Sequence, residues 1–265
     1  MLLAHDDDGS HGGAPAVVLL HAGVADRRMW EPVRDHLAHT FRVLAPDLRG
    51  HGDTPLPPQQ YSDADDVAAL LDHLGVDDAA VVGVSAGARV ALELTERHPA
   101  RVRQLVLFGP TLRGVDVGAD IQAFDDAEAA MLAAGDVEGA VRLNLNTWLG
   151  PDASLAAREA LAGMQRRAFQ IQLAADDAAA RTGSAPRPEP VDIDLARITV
   201  PTLVVAGGRD LEHVRTVAAH VAASIAGAEH LVLPWAAHLP PLERPGAVVS
   251  LLLDTLRDDP DVHAP

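Results

Sequence analysis

Six short apolar runs punctuate the chain, at residues 16–21, 41–45, 79–84, 102–108, 201–206 and 230–233. Each is bounded by turn residues and is too short for a buried helix, which predicts strands. Between them, apolar positions recur at helical spacing over 29–38, 63–74, 86–98, 214–225 and 245–256. Continuous apolar strands alternating with amphipathic helices predict an α/β fold, a mostly parallel sheet covered on both faces. Ser62 is placed to cap the second helix and Pro99 to end the third. The acidic and glycine-rich stretch 6–13 reads as a turn or loop, and 258–265 as a fraying tail.

One interval breaks the alternation. Residues 111–198 contain no strand-like run, only helical periodicity over 121–134, 137–149 and 154–180. Connections between core strands are normally a few residues long, so this length predicts an inserted helical cap. Residues 1–110 and 199–265 then form the core, and the proline-rich stretch 185–190 is the linker back to it.

Composition narrows the function classes. The chain has 265 residues, enough for one large domain, and its apolar runs are too short to span a bilayer. Its start has neither a basic segment nor a long apolar one, so no secretory signal is expected and the cytoplasm is the default location. With no cysteine, disulfide and thiol chemistry are excluded. A net charge of −17 repels nucleic acid and anionic membranes, so neither is expected as a partner. All 21 basic residues are arginine, which excludes a Schiff-base lysine and a P-loop lysine.

The chemistry concentrates at Gly83-Val84-Ser85-Ala86-Gly87, between an apolar run and a helical one. Strand, tight turn and helix are the context in which G-x-S-x-G forms a nucleophile elbow. A serine hydroxyl needs a base to take its proton, and the base needs an acid to orient it. Asp210 follows the fifth apolar run and His238 the sixth, giving the order Ser, Asp, His. Glu212 ranks below Asp210, and the loop Gly109-Pro110-Thr111 offers no carboxylate. Each residue also has an ordinary reading: Ser85 as a helix N-cap, Asp210 as a loop aspartate, His238 as a packing residue. His36 with His39, and His5 with Asp6 to Asp8, read as solvated surface, so no metal is expected. His51, His73, His98, His213, His220 and His230 read as surface or packing residues.

These residues resemble the α/β-hydrolase superfamily over nearly the whole chain. His21-Ala22-Gly23 is similar to the family's oxyanion loop, which implies that the backbone N–H groups of Gly23 and Ala86 receive the oxyanion, with Val24 as the fallback donor in place of Gly23. Asp47-Leu48-Arg49-Gly50-His51-Gly52 resembles a supporting loop of the family, and residues 237–245 its Gly-His-x-Pro-x-x-Glu-x-Pro segment. Ser85 sets the chain apart from dehalogenases and epoxide hydrolases, which use aspartate. Leu239 after the histidine differs from carbon–carbon-bond hydrolases, and the absence of lysine differs from hydroxynitrile lyases. The loop lacks the His-Gly-Gly-Pro of proline iminopeptidases. The resemblance thus implies a serine hydrolase of a small carboxylic ester or lactone, near enol-lactonases and small esterases, with no cofactor. Perhydrolysis at the same site, or ligand binding without catalysis, are the alternatives. Val24, Trp148 and Phe169 are candidate pocket residues; Asn144, Asn146, Arg166 and Arg167 are candidate polar selectors; Trp30 and Trp235 flank the site in sequence.

Overall fold

Every one of the six apolar runs is a strand of one seven-stranded sheet in the computed structural model, which describes residues 1–9 and 13–257. In chain order the elements are β1 (His5–Asp8), β2 (Ala16–Leu20), α1 (Glu31–Leu37), β3 (Arg42–Pro46), β4 (Gln60–Tyr61), α2 (Asp63–His73), β5 (Ala79–Val84), α3 (Ala86–Arg97), β6 (Val102–Phe108), α4 (Ala119–Ala133), α5 (Val137–Trp148), α6 (Leu155–Thr182), β7 (Arg187–Pro188), β8 (Thr202–Gly207), α7 (Glu212–Ser224), β9 (Glu229–Leu233), α8 (Pro240–Glu243) and α9 (Pro245–Arg257). The expected tail 258–265 lies outside the described residues.

The sheet runs β1-β3-β2-β5-β6-β8-β9, parallel throughout except for β1. β5 is the middle strand. Its alternate side chains face two apolar layers, as the period of a strand requires. Val81 packs with Val18, Leu105 and the inner faces of α2, α3 and α7, including Leu71, Val90 and Val221. Val82 packs with Leu19, Val106 and residues of the opposite layer, including Val33, Leu37 and Leu252 of α1 and α9. A strand buried on both faces needs an unbroken apolar run, which is what the sequence shows.

Two expectations are corrected. Residues 5–8, expected as turn or loop from 6 onward, are an edge strand antiparallel to β3. Aspartate has low strand propensity, but here the aspartates meet arginines distant in sequence. Arg42 forks onto Asp7 at 3.0 and 2.7 Å, and Arg34 pairs with Asp6 and with Asp8. Residues 111–198 also contain a strand: β7, in the proline-rich linker, pairs in parallel with β4. The linker is therefore hydrogen-bonded to the core loop that precedes α2.

Between β6 and β8 the chain forms the helical insert α4–α6. Its own small core contains Ala140, Val141, Ala162 and Phe169, so Phe169 is interior to the insert. Ser154 caps α6 by accepting the Ala157 N–H at 3.1 Å, and Gly183 ends it in the left-handed conformation at φ +72°. Among the described residues, no helix is long and apolar enough to cross a membrane.

Candidate active site

Ser85 closes the central strand with φ 55° and ψ −115°, the only positive φ outside glycine among the described residues. Its side chain makes no capping hydrogen bond, so it is not an N-cap despite its position before α3. The turn is forced by close approach. A Cβ at residue 83 would stand 2.5 Å from the Gly87 backbone, and one at residue 87 would stand 2.4 Å from the Leu20 carbonyl oxygen. Only glycine fits at both. The strained serine, which costs about 1–3 kcal/mol, is held by its N–H on the Phe108 carbonyl at 2.8 Å and by the Arg89 N–H on its own carbonyl at 3.0 Å.

His238 and Asp210 come from the loops after β9 and β8, on the same side of β5. His238 is 3% and Asp210 7% exposed, and His238 Nδ1 lies 2.7 Å from Asp210 Oδ2. A carboxylate accepts, so Nδ1 carries the proton and Nε2 keeps its lone pair. Asp210 Oδ1 accepts the Leu211 N–H at 2.8 Å, which orients the carboxylate. Glu212, the alternative acid, is exposed on α7.

Three successive backbone N–H groups hold the histidine in place. Glu243 accepts the Ala237 N–H at 3.0 and 3.1 Å and the Leu239 N–H at 3.2 Å, while the His238 N–H bonds the Trp148 carbonyl at 3.2 Å. Burial pushes the Glu243 carboxyl up from its ordinary value, and those backbone donors pull it back. Trp148 also lies against the His238 ring, centroid to centroid 4.6 Å. Its indole N–H donates to Asn144 Oδ1 at 3.1 Å, and the Asn144 amide donates to Ala140 O at 2.9 Å and to Glu128. Asn144 is thus fully buried, a support for Trp148 rather than a selector.

On the opposite side of β5, the loop after β2 brings Gly23 beside Ala86: a Cβ on Gly23 would lie 3.5 Å from that of Ala86. His21 Nδ1 meets the Ala22 carbonyl at 2.8 Å, and the Leu48 N–H donates to Nε2 at 2.9 Å. His21 is therefore neutral with its proton on Nδ1, and burial, reinforced by the neighbouring His51, lowers its pKa to about 3. Ala25 N–H bonds the same carbonyl at 3.0 Å. In a planar trans peptide the Gly23 N–H points opposite to the Ala22 C=O, so anchoring that oxygen fixes the direction of the Gly23 donor. His51, expected as surface or packing, bridges two loops: Nε2 lies 2.9 Å from Gly23 O and Nδ1 3.0 Å from Arg49 O. Below them, buried Asp47 accepts the N–H groups of Arg27 and Asp53, both at 2.8 Å.

Ser85 and His238 line one cavity of about 200 Å³. Trp148, Pro110, Ile121, Val214 and Val217 supply its apolar wall, and Thr111 and His213 are the other polar members. His213, expected as surface or packing, thus reaches the site. Val24 does not line this cavity; it packs half-buried against the apolar layer of Leu19 and Val82. Trp30 is buried in that layer, and Trp235 lies under Arg244 at 4.9 Å. Arg166 pairs with Glu138, Arg167 donates to Gly52 O at 3.0 Å, and Asn146 is exposed. No group of three metal-ligating side chains occurs among the described residues. The wall residues of α4 and α7 carry no sequence signal, because only the packing of the insert on α7 brings them to Ser85.

Comparison with known proteins agrees with this architecture. Residues 15–245 match the family model described as alpha/beta hydrolase fold. The chain is 32% identical over 254 residues, 90% of its own length and 91% of the relative's, to the pimeloyl-(acyl-carrier protein) methyl ester esterase of Neisseria meningitidis serogroup B. A thermophilic esterase from Thermogutta terrifontis superposes with a TM-score of 0.78 at 28% identity, over 99% of this chain and 94% of that one. The enol-lactonase from Burkholderia xenovorans superposes with a TM-score of 0.75 at 27% identity, over 97% and 96% of the two chains.

Proposed function

The chain belongs to the α/β-hydrolase fold family and is esterase-like, and from that premise we propose that it hydrolyses a small carboxylic ester or lactone through an acyl-enzyme on Ser85. The observation that carries this reading is the His238 ring, bonded to buried Asp210 on one nitrogen and sharing a cavity with Ser85. The similar proteins act, by their names, on a methyl ester and on an enol-lactone, and the small, mostly apolar chamber suits substrates of that kind.

In this reading His238 Nε2 takes the Ser85 hydroxyl proton as Oγ bonds the carbonyl carbon. The oxyanion is received by the N–H groups of Gly23 and Ala86, each worth about 3–4 kcal/mol of transition-state stabilisation. Asp210 holds the ring and stabilises its charged form. The C–O bond then breaks, and the departing alkoxide takes the proton from His238. Water attacks the acyl-enzyme, gives a proton to His238, and Ser85 leaves with that proton. For a lactone the alkoxide stays tethered to the acid product. The helices α4–α6 act as a cap, with Trp148 placed against substrate. No cofactor enters these steps.

Ser85→Ala tests the reading. It is expected to abolish hydrolysis of short-chain p-nitrophenyl esters and labelling by a fluorophosphonate, with an unchanged circular dichroism spectrum. A folded Ser85→Ala protein that retains wild-type esterase activity would sink it.

A further inference from the structure

One polar side chain in the cavity wall has no part in acyl transfer. His213 stands in the first turn of α7, where its backbone N–H bonds Asp120 Oδ2 at 3.1 Å. Its ring Nδ1 accepts the backbone N–H of Gly118 at 3.1 Å. A ring nitrogen that accepts carries no proton, so the imidazole proton sits on Nε2. Nε2 has no partner among the described residues.

The loop before α4 presses on the other edge of the ring. A Cβ at residue 118 would stand 2.8 Å from His213 Cβ and 3.2 Å from Nδ1, so Gly118 is what lets the backbone reach Nδ1. His213 lines a cavity whose other members are hydrocarbon, Thr111, Ser85 and His238, and the bond at Nδ1 leaves Nε2–H as the ring's donor there. A substrate oxygen that accepts from this donor takes the place of solvent at a fixed position in the chamber.

We propose that His213 is a specificity-determining residue. Its Nε2–H donates to an oxygen that the substrate carries some carbons away from the scissile carbonyl. The preferred substrate is therefore an ester or lactone whose hydrocarbon portion bears a neutral acceptor, a ketone, ether or second ester. A carboxylate is disfavoured, because the cavity wall contains no arginine and the protein carries −17. This inference rests on the serine-hydrolase reading.

Matched substrates test it. On the acyl side, p-nitrophenyl 4-oxopentanoate is compared with p-nitrophenyl pentanoate; on the alcohol side, 4-oxopentyl acetate with pentyl acetate. In one of the two pairs the wild-type protein is expected to favour the ketone by about tenfold in kcat/KM, the range of one neutral hydrogen bond. His213→Leu is expected to erase that preference, the ratio of the two substrates falling to about one, and His213→Gln, which keeps a donor, to restore part of it. Absence of preference in both pairs, or a preference that survives His213→Leu, overturns the inference. Fluorophosphonate labelling of Ser85 separates the two ideas: an unlabelled wild-type protein defeats the hydrolase reading, whereas a labelled one indifferent to the ketone defeats only the role of His213.

Discussion

Removing the Glu243 side chain tests whether the loop carrying His238 is held as its hydrogen bonds indicate. In Glu243→Ala, the N–H groups of Ala237 and Leu239 both lose their acceptor. Ala237 is 4% and Leu239 0% exposed, so water offers little replacement. An unsatisfied buried donor costs about 1–3 kcal/mol, so the pair costs about 2–6 kcal/mol. Relief of the carboxylate's own burial, visible in its raised pKa, returns part of this and points to the lower half of that range. For a chain of this size a loss of about 3 kcal/mol lowers Tm by roughly 6–12 °C. Glu243→Gln keeps one oxygen acceptor and is expected to lose about half as much. The catalytic consequence is separable: a shift of His238 by a fraction of an ångström is expected to lower kcat by about 10- to 100-fold with KM little changed. Thermal melts and steady-state kinetics of both variants measure the two effects. An alanine variant that melts within 1 °C of wild type, by the order of magnitude above, with unaltered kcat would refute this account of the loop.

Two further outcomes follow from buried carboxylates. Asp210→Asn releases the tautomer of His238 and is expected to lower kcat by about 10⁴, while Glu212→Gln leaves it unchanged; the reverse pattern in an ester assay would reassign the acid. Asp63, its carboxylate 3.9 Å from Arg89, is pushed up to about 6 by burial. A carboxyl whose pKa rises on folding stabilises most below its unfolded value near 4, and that stabilisation is lost as pH climbs through 6. Asp63→Asn is therefore expected to gain about 2–3 kcal/mol relative to wild type between pH 4 and pH 8 in urea unfolding, and a pH-independent difference would contradict the assigned pKa.

The sheet was legible because its strands are buried on both faces, which leaves an unbroken apolar signature in each. The elbow was legible because its geometry is local, five residues between one strand and one helix. Other features arise only from contacts distant in sequence. β1 is made of aspartates that become a strand when Arg34 and Arg42 reach them. His21 and His51 gain their roles from carbonyl groups that the β2 and β3 loops bring together. The cavity-lining residues Ile121, Val214 and His213 belong to helices nearly a hundred positions apart, and no periodicity records that they share a wall. Glu243 lies in a recognisable segment, yet only the folded loop brings its carboxylate onto the N–H groups on either side of His238.

The backbone of Ser85 carries an evolutionary consequence. Its φ of 55° with ψ of −115° suits glycine and penalises every side chain. Replacement by glycine therefore relieves backbone strain, and under the proposed mechanism the loss of the nucleophilic hydroxyl is what opposes it. A lineage released from that selection would drift to glycine at this position before it eroded the sheet. Under the proposed mechanism, a descendant with Gly at position 85 and an intact Asp210–His238 pair would have given up that chemistry and gained stability.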